Sequence, residues 1–214
     1  RYGLLNDIRP LDKSLLTQTV QRFVALGQPA DASLPPPIPE PKLRVEPDNQ
    51  QRLLRDLNLE LERPVVAFMP GAEYGPAKQW PLTHYAELAA ELVAQGFQVW
   101  LLGSAKDREA AMRIAADLEQ AHNLCGRTEL VDAVDLIALC RAAVSNDSGL
   151  MHVAAAVGTP LVALYGSSTP AYTPPLTNKA EILYLGLDCS PCFKRDCPLG
   201  TTVCLERITV ADVL

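Results

Sequence analysis

From Pro64 onward, short apolar runs alternate with amphipathic segments, and this alternation constrains the fold more than any other feature of the chain. Pro64–Met69, Phe97–Leu102, Ala142–Ser145 and Pro160–Tyr165 read as strands. Helices are expected at Thr83–Gln95 (Thr83 as N-cap, Gly96 as the stop), Asp107–Glu119, Leu130–Arg141 and Gly149–Val157. The pattern leaves a place for one more strand between the helices at 107–119 and 130–141. Apolar strands separated by helices belong to a parallel sheet covered on both faces. The expected class is therefore α/β, with a Rossmann-like parallel sheet. Ligands of such sheets sit at the carboxyl ends of the strands, where loops lead into helices. That directs attention to the loops after Met69, Leu102, Ser145 and Tyr165.

Ahead of the alternation the pattern differs. Ser14–Leu26 predicts a helix with Leu15, Leu16, Val20, Phe23 and Val24 near one face and Gly27 as its stop. Leu34-Pro-Pro-Pro-Ile-Pro-Glu-Pro41 is an extended, polyproline-like connector. An amphipathic helix is expected from Asp48 to about Leu57. The organisation expected is thus a helix and Pro-rich connector over residues 1–47, then one Rossmann-like domain over 48–214 that ends in a Cys-rich segment. The chain opens Arg1-Tyr-Gly without an initiator Met, lacks the basic-then-apolar opening of a signal peptide, and ends abruptly at Val213-Leu214. It is read as a piece of a longer protein.

Composition excludes several function classes. With 48% hydrophobic and 21% charged residues, the chain as a whole is not intrinsically disordered. Its 19 Lys and Arg against 25 Asp and Glu give a formal charge of −6, which argues against a nucleic-acid binder. No apolar run approaches the roughly 18 residues of a membrane-spanning helix. Cys125 and Cys140 lie in patterned segments and read as small buried hydrophobes. Cys189, Cys192, Cys197 and Cys204 form a separate cluster. Three states are open for it: a metal site built on the Cys-x2-Cys pair, disulfides, or reduced thiols in a loop.

The loops carry small, polar and cationic residues. The first, Pro70-Gly-Ala-Glu-Tyr-Gly-Pro-Ala-Lys-Gln-Trp-Pro81, brings small residues that let backbone amides approach an anion, and Lys78 adds a mobile cation. A packed connection with a surface lysine is the alternative. In the second, Gly103-Ser-Ala-Lys-Asp107, the acidic residue either complements the following helix dipole or faces a ligand. The third, Ser145-Asn-Asp-Ser-Gly-Leu-Met-His152, is the sharpest feature. Asp147 or Ser148 is placed to cap the helix, the Ser148 and Gly149 amides to meet a phosphate. His152, one turn on, either contacts a ligand or bonds a neighbouring carbonyl. The fourth loop, Gly166-Ser-Ser-Thr-Pro170, is a hydroxyl-rich turn. Anion-friendly loops gathered at one sheet edge point to a phosphorylated or nucleotide-bearing small molecule.

The loop after Met69, Gly103–Asp107, Asn146-Asp-Ser-Gly-Leu-Met-His152 and Leu164-Tyr-Gly-Ser-Ser168 together resemble the bacterial ADP-heptose:lipopolysaccharide heptosyltransferases, glycosyltransferase family 9. The opening Arg1-Tyr-Gly-Leu-Leu-Asn-Asp7 also looks like that family's interdomain region. The resemblance covers nearly the whole chain. It implies the carboxyl-terminal, donor-binding domain of a two-domain GT-B glycosyltransferase. It further implies inverting transfer of L-glycero-D-manno-heptose from ADP-heptose to the inner core of lipopolysaccharide. The expected place is the cytoplasmic face of the inner membrane, with no cofactor. By the same resemblance Lys78 matches the donor-phosphate lysine, and Asp147, Ser148 and Gly149 match the turn that holds the diphosphate. His152 matches the histidine one turn later, and Gly71 and Ala72 the small residues facing the diphosphate. Asp107 falls near the ribose and Thr128 on the adenine side. The proposed catalytic base of the family lies near the start of the amino-terminal domain, so no base is assigned among these 214 residues. The four-Cys segment is not shared by every member. A nucleotide-sugar epimerase of similar build and a nucleotide-binding module without turnover are the competing readings.

Overall fold

A computed structural model describes residues 3–214, so Arg1 and Tyr2 of the opening run lie outside the described residues. Among the described residues six strands form one all-parallel sheet: β1 (Val65–Met69), β2 (Gln98–Leu101), β3 (Ala121–Asn123), β4 (Ala142–Asn146), β5 (Leu161–Tyr165) and β6 (Ala180–Tyr184). Their order across the sheet is β3-β2-β1-β4-β5-β6. The strand order therefore reverses between β1 and β4. That is where the crevice of a doubly wound sheet opens.

Strand periodicity builds two cores. In β1, Val65, Ala67 and Met69 face one side and Val66 and Phe68 the other, and all five are buried. The first side is covered by α2 (Pro47–Leu57), α5 (Leu130–Ala138) and α6 (Gly149–Val157), through Leu53, Leu136, Ile137, Met151 and Ala154. The second is covered by α3 (Leu82–Ala94), α4 (Arg108–Ile114) and two short C-terminal helices, α7 (Val203–Glu206) and α8 (Val210–Val213). Cys125 and Cys140 are buried, as their segments predicted. No helix among the described residues is long and apolar enough to cross a membrane.

Several element boundaries differ from the sequence reading, each for a local reason. The first helix, α1, covers only Thr19–Leu26. Ahead of it, Asp12 accepts from the Ser14 amide and hydroxyl and from the Leu15 amide, an Asx-type turn that competes with helix. Of the predicted apolar face only Leu16 is buried; Leu15 and Phe23 are exposed, together with Leu4, Leu5, Ile8 and Leu11. Thr83 is not the N-cap of α3. Pro81 holds that position, and its carbonyl accepts from the His84 and Tyr85 amides. The helix expected to reach Glu119 ends at Ile114, three residues before Asp117 adopts a left-handed φ of 62°. The helix expected to reach Arg141 ends at Ala138, because Arg141 already donates its amide to the Val65 carbonyl and leads into β4. The sequence reading had no β6, α7 or α8. β6 is a half-buried edge strand beyond a loop rich in proline, so its apolar signal is diluted.

Candidate functional site

At the carboxyl ends of β1, β2 and β4 lies a cavity of about 570 Å³. Gly71, Ala72, Lys78, Asp107, Asp147, Ser148, Gly149 and His152 all line it. Thr128 does not; Leu130, two residues on, lines it instead. Glu73, Tyr74, Ser104 and Thr173 also face the cavity and carry no signal that singles them out in the sequence.

The loop after β1 is shaped from a distance. Asn146, fully buried at the end of β4, accepts from the Trp80 amide (3.0 Å) and the Tyr85 hydroxyl (3.2 Å). Its side-chain amide donates to the Pro70 carbonyl at 2.7 Å. Trp80 in turn donates its indole N–H to the Ile208 carbonyl at 2.8 Å. One side chain thus closes both ends of the loop that presents Lys78. Asn146 lies inside the sharpest sequence motif, but a buried amide satisfied in this way is structural.

The lysine so placed meets Asp147. The Lys78 ammonium donates to Asp147 Oδ2 at 2.5 Å, and Ser168 donates to the same oxygen at 2.6 Å. Asp147 is therefore not a helix cap, contrary to one expectation: its carboxylate is turned to the cation. Ser148 does occupy the N-cap position of α6, but it makes no side-chain cap bond; its hydroxyl pairs with Ser145 at 3.2 Å. The first amides of α6 consequently receive no capping side chain from Ser148, and Ser148, Gly149 and Leu150 line the cavity together with Lys78. A helix N-terminus in that state favours an anion. Gly149 is exposed there, and a Cβ on it would meet no atom within 4 Å.

Asp107 is fixed by its own turn. Its Oδ2 accepts from the Ser104 amide and hydroxyl, both at 2.8 Å, and the residues 105–107 form a single 3-10 turn before α4. The carboxylate then presses on two glycines. A Cβ on Gly71 would stand 2.7 Å from Asp107 Oδ1, and one on Gly103 2.8 Å from Oδ2. At the mouth, Lys106 and Glu73 pair at 2.8 Å, both well exposed. On the other wall, burial pushes the His152 imidazole below its ordinary pKa, with the Asp147 charge opposing and the Lys78 charge adding to that shift. The shift favours the neutral imidazole, which can accept or donate a hydrogen bond without bringing charge.

Cys189, Cys192, Cys197 and Cys204 are unpaired thiols. Among the described residues no group of three or more His, Cys, Asp or Glu stands ready to hold a metal ion. Burial raises the Cys204 thiol pKa, and the neighbouring Cys189, Cys197 and Cys192 add to the rise.

Comparisons with known proteins agree with this layout. The chain is 49% identical to lipopolysaccharide heptosyltransferase 2 of Salmonella typhimurium and 48% identical to that of Escherichia coli, in each case over all of this chain and 64% of the relative. It therefore spans just under two thirds of the length of these relatives. Its fold superposes on the solved structure of the E. coli ADP-heptose lps heptosyltransferase II with a TM-score of 0.86 at 45% identity, over all of this chain and 64% of that one. The family model described as glycosyltransferase family 9 (heptosyltransferase) matches residues 1–203, and the chain belongs to that family.

Proposed function

We propose that this chain supplies the donor-binding half of an inverting heptosyltransferase. The reaction moves L-glycero-D-manno-heptose from ADP-heptose to the inner core of lipopolysaccharide. The observation that carries it is that Lys78, paired with Asp147, lines one cavity with the side-chain-uncapped N-terminus of α6 at the β1/β4 crevice. Breaking the anomeric C–O bond leaves a further negative charge on the ADP leaving group. A preorganised ammonium and helix amides are suited to stabilise that charge. Asp147, whose carboxylate also accepts from Ser168, holds the ammonium in place beforehand.

In this reading Gly71 and Ala72 let the diphosphate approach the backbone, Ser148 and Gly149 offer amides, and His152 offers a neutral hydrogen-bonding edge. Asp107, held by Ser104, faces the ribose. The adenine-side role of Thr128 rests on the family resemblance alone. The acceptor hydroxyl needs a base, assigned to a region outside these 214 residues, and domain closure would deliver it. The division into a connector over 1–47 and a donor domain over 48–214 belongs to the same proposal. So do the lipopolysaccharide acceptor and peripheral placement at the cytoplasmic face of the inner membrane. The relatives matched across the whole chain are heptosyltransferases, which favours this reading over an epimerase or a module without turnover.

Calorimetric titration with ADP tests it. Lys78→Ala is expected to weaken binding by about 1.5–3 kcal/mol, the range for a lost charge-assisted hydrogen bond. Thermal denaturation of the variant confirms that it is folded. Unchanged ADP affinity in a folded variant overturns the assignment of Lys78.

A further inference from the structure

From Leu185 to Thr202 the chain has neither helix nor strand. A stretch of that length inside a compact domain calls for a function of its own, since such loops seldom exceed about 12–15 residues. Its middle is fastened on two sides. On one side the Phe193 amide donates to the Ser167 carbonyl at 2.7 Å, the Ser190 hydroxyl bonds the Gly166 carbonyl at 2.5 Å, and the Phe193 ring stacks on Tyr172 at 5.5 Å. These contacts tie it to the turn after β5, where Ser168 holds Asp147. On the other side the Arg195 carbonyl accepts from the Ala77 amide at 3.0 Å, and the Phe193 carbonyl accepts from the Tyr74 hydroxyl at 2.9 Å. The Arg195 guanidinium lies 5.8 Å from the centre of the Tyr74 ring, and the Lys78 ammonium lies 5.4 Å from the same ring.

Gly75 shows how close the two backbones are. Its φ is 156°, and a Cβ there would stand 2.5 Å from the Arg195 carbonyl oxygen. Only glycine permits that approach. Residues 193–195 therefore bridge the loop that carries Lys78 and the turn that carries Ser168, the two partners of Asp147. They do not line the cavity.

We infer that Phe193 and Arg195 are positioning residues: residues 193–195 clamp the 72–78 loop and so set where the Lys78 ammonium stands. The inference rests on the donor-binding reading for its consequence, but the clamp itself has a ligand-independent test. Gly75→Ala breaks the backbone approach, and Arg195→Ala and Arg195→Lys remove and restore the cation over Tyr74.

Hydrogen exchange is measured first, without nucleotide. Exchange of the Ala77 amide is expected to rise by about tenfold or more in Gly75→Ala, while the β1 amides stay protected. ADP affinity is measured next in a double-mutant cycle. Gly75→Ala is expected to weaken ADP binding about five- to tenfold alone and less than about twofold on a Lys78→Ala background. Arg195→Ala is expected to weaken it in the same Lys78-dependent way, with Arg195→Lys recovering most of the loss.

Unchanged Ala77 exchange overturns the clamp. Equal ADP losses in both backgrounds also overturn it, because they mark an effect that does not pass through Lys78. If Gly75→Ala does not fold, the Arg195 pair is measured by the same exchange and binding criteria. If the unaltered chain binds no ADP, the donor reading fails, while the exchange result alone decides whether the clamp exists.

Discussion

The loops after β1 and β2 leave adjacent parallel strands and face the same cavity, yet they are held by opposite means. The 103–107 turn is locally held: the Asp107 carboxylate accepts from the amide and hydroxyl of Ser104, three residues away. The 70–81 loop owes its shape to remote groups. Asn146, Ile208 and Arg195, distant in sequence, hold Pro70, Ala77, Trp80 and Tyr85. The difference teaches that the rigid wall of the site is cheap to build, whereas the lysine-bearing wall depends on the whole domain having folded. The two walls then meet at Gly71, against which the Asp107 carboxylate is packed.

The contrast can be broken by mutation, and the largest effect belongs to the remotely held loop. Asn146→Ala strips partners from the Trp80 amide and the Tyr85 hydroxyl in a buried setting. It is expected to destabilise the fold by about 2–4 kcal/mol in urea denaturation, because unpaired buried polar groups retain their desolvation cost. A loss below about 0.5 kcal/mol would show that the loop holds its shape without Asn146.

An intermediate effect is expected where the walls touch. Gly71→Ala forces its methyl group against Asp107 and should cost about 1–3 kcal/mol, as overpacking does. Most of that loss should return in the Gly71→Ala/Asp107→Ala double variant, since the two residues are in contact. Additive losses in the same denaturation series would deny the contact.

The smallest effect is expected at the locally held turn. Ser104→Ala removes the hydroxyl that donates to the Asp107 carboxylate and should cost about 1 kcal/mol, the usual net value for a hydrogen bond. It should leave Ala77 amide exchange unaltered. If Ser104→Ala loosened the 70–81 loop as much as Asn146→Ala does, the distinction between the two walls would be lost.

Much of the fold was legible because its signals are local. The runs at Pro64–Met69 and Pro160–Tyr165 are apolar enough to be strands buried on both faces, and the small residues after them mark loops. Of the candidate site only the gathering of residues was legible: eight of the nine residues singled out line one cavity, because the strand-end rule needs only the order of elements. β6 escaped because an edge strand is half exposed, and Asn146 escaped because its partners lie more than sixty residues away. Asp147 and Ser148 were both candidates to cap α6, and Ser148 takes the N-cap position. The Asp147 carboxylate faces Lys78, since an ammonium and a hydroxyl within reach outweigh a local cap.

The sequence by itself determined the class of the fold, the parallel sense of its sheet, and the sheet edge at which the candidate cavity lies. It did so because hydrophobic periodicity and turn chemistry are properties of short stretches. Only the tertiary structure decided which charges pair across the cavity and that Asn146 and Arg195 carry the Lys78 loop. Those outcomes depend on which distant groups the strand order brings within hydrogen-bonding reach, and no short window of residues contains that information.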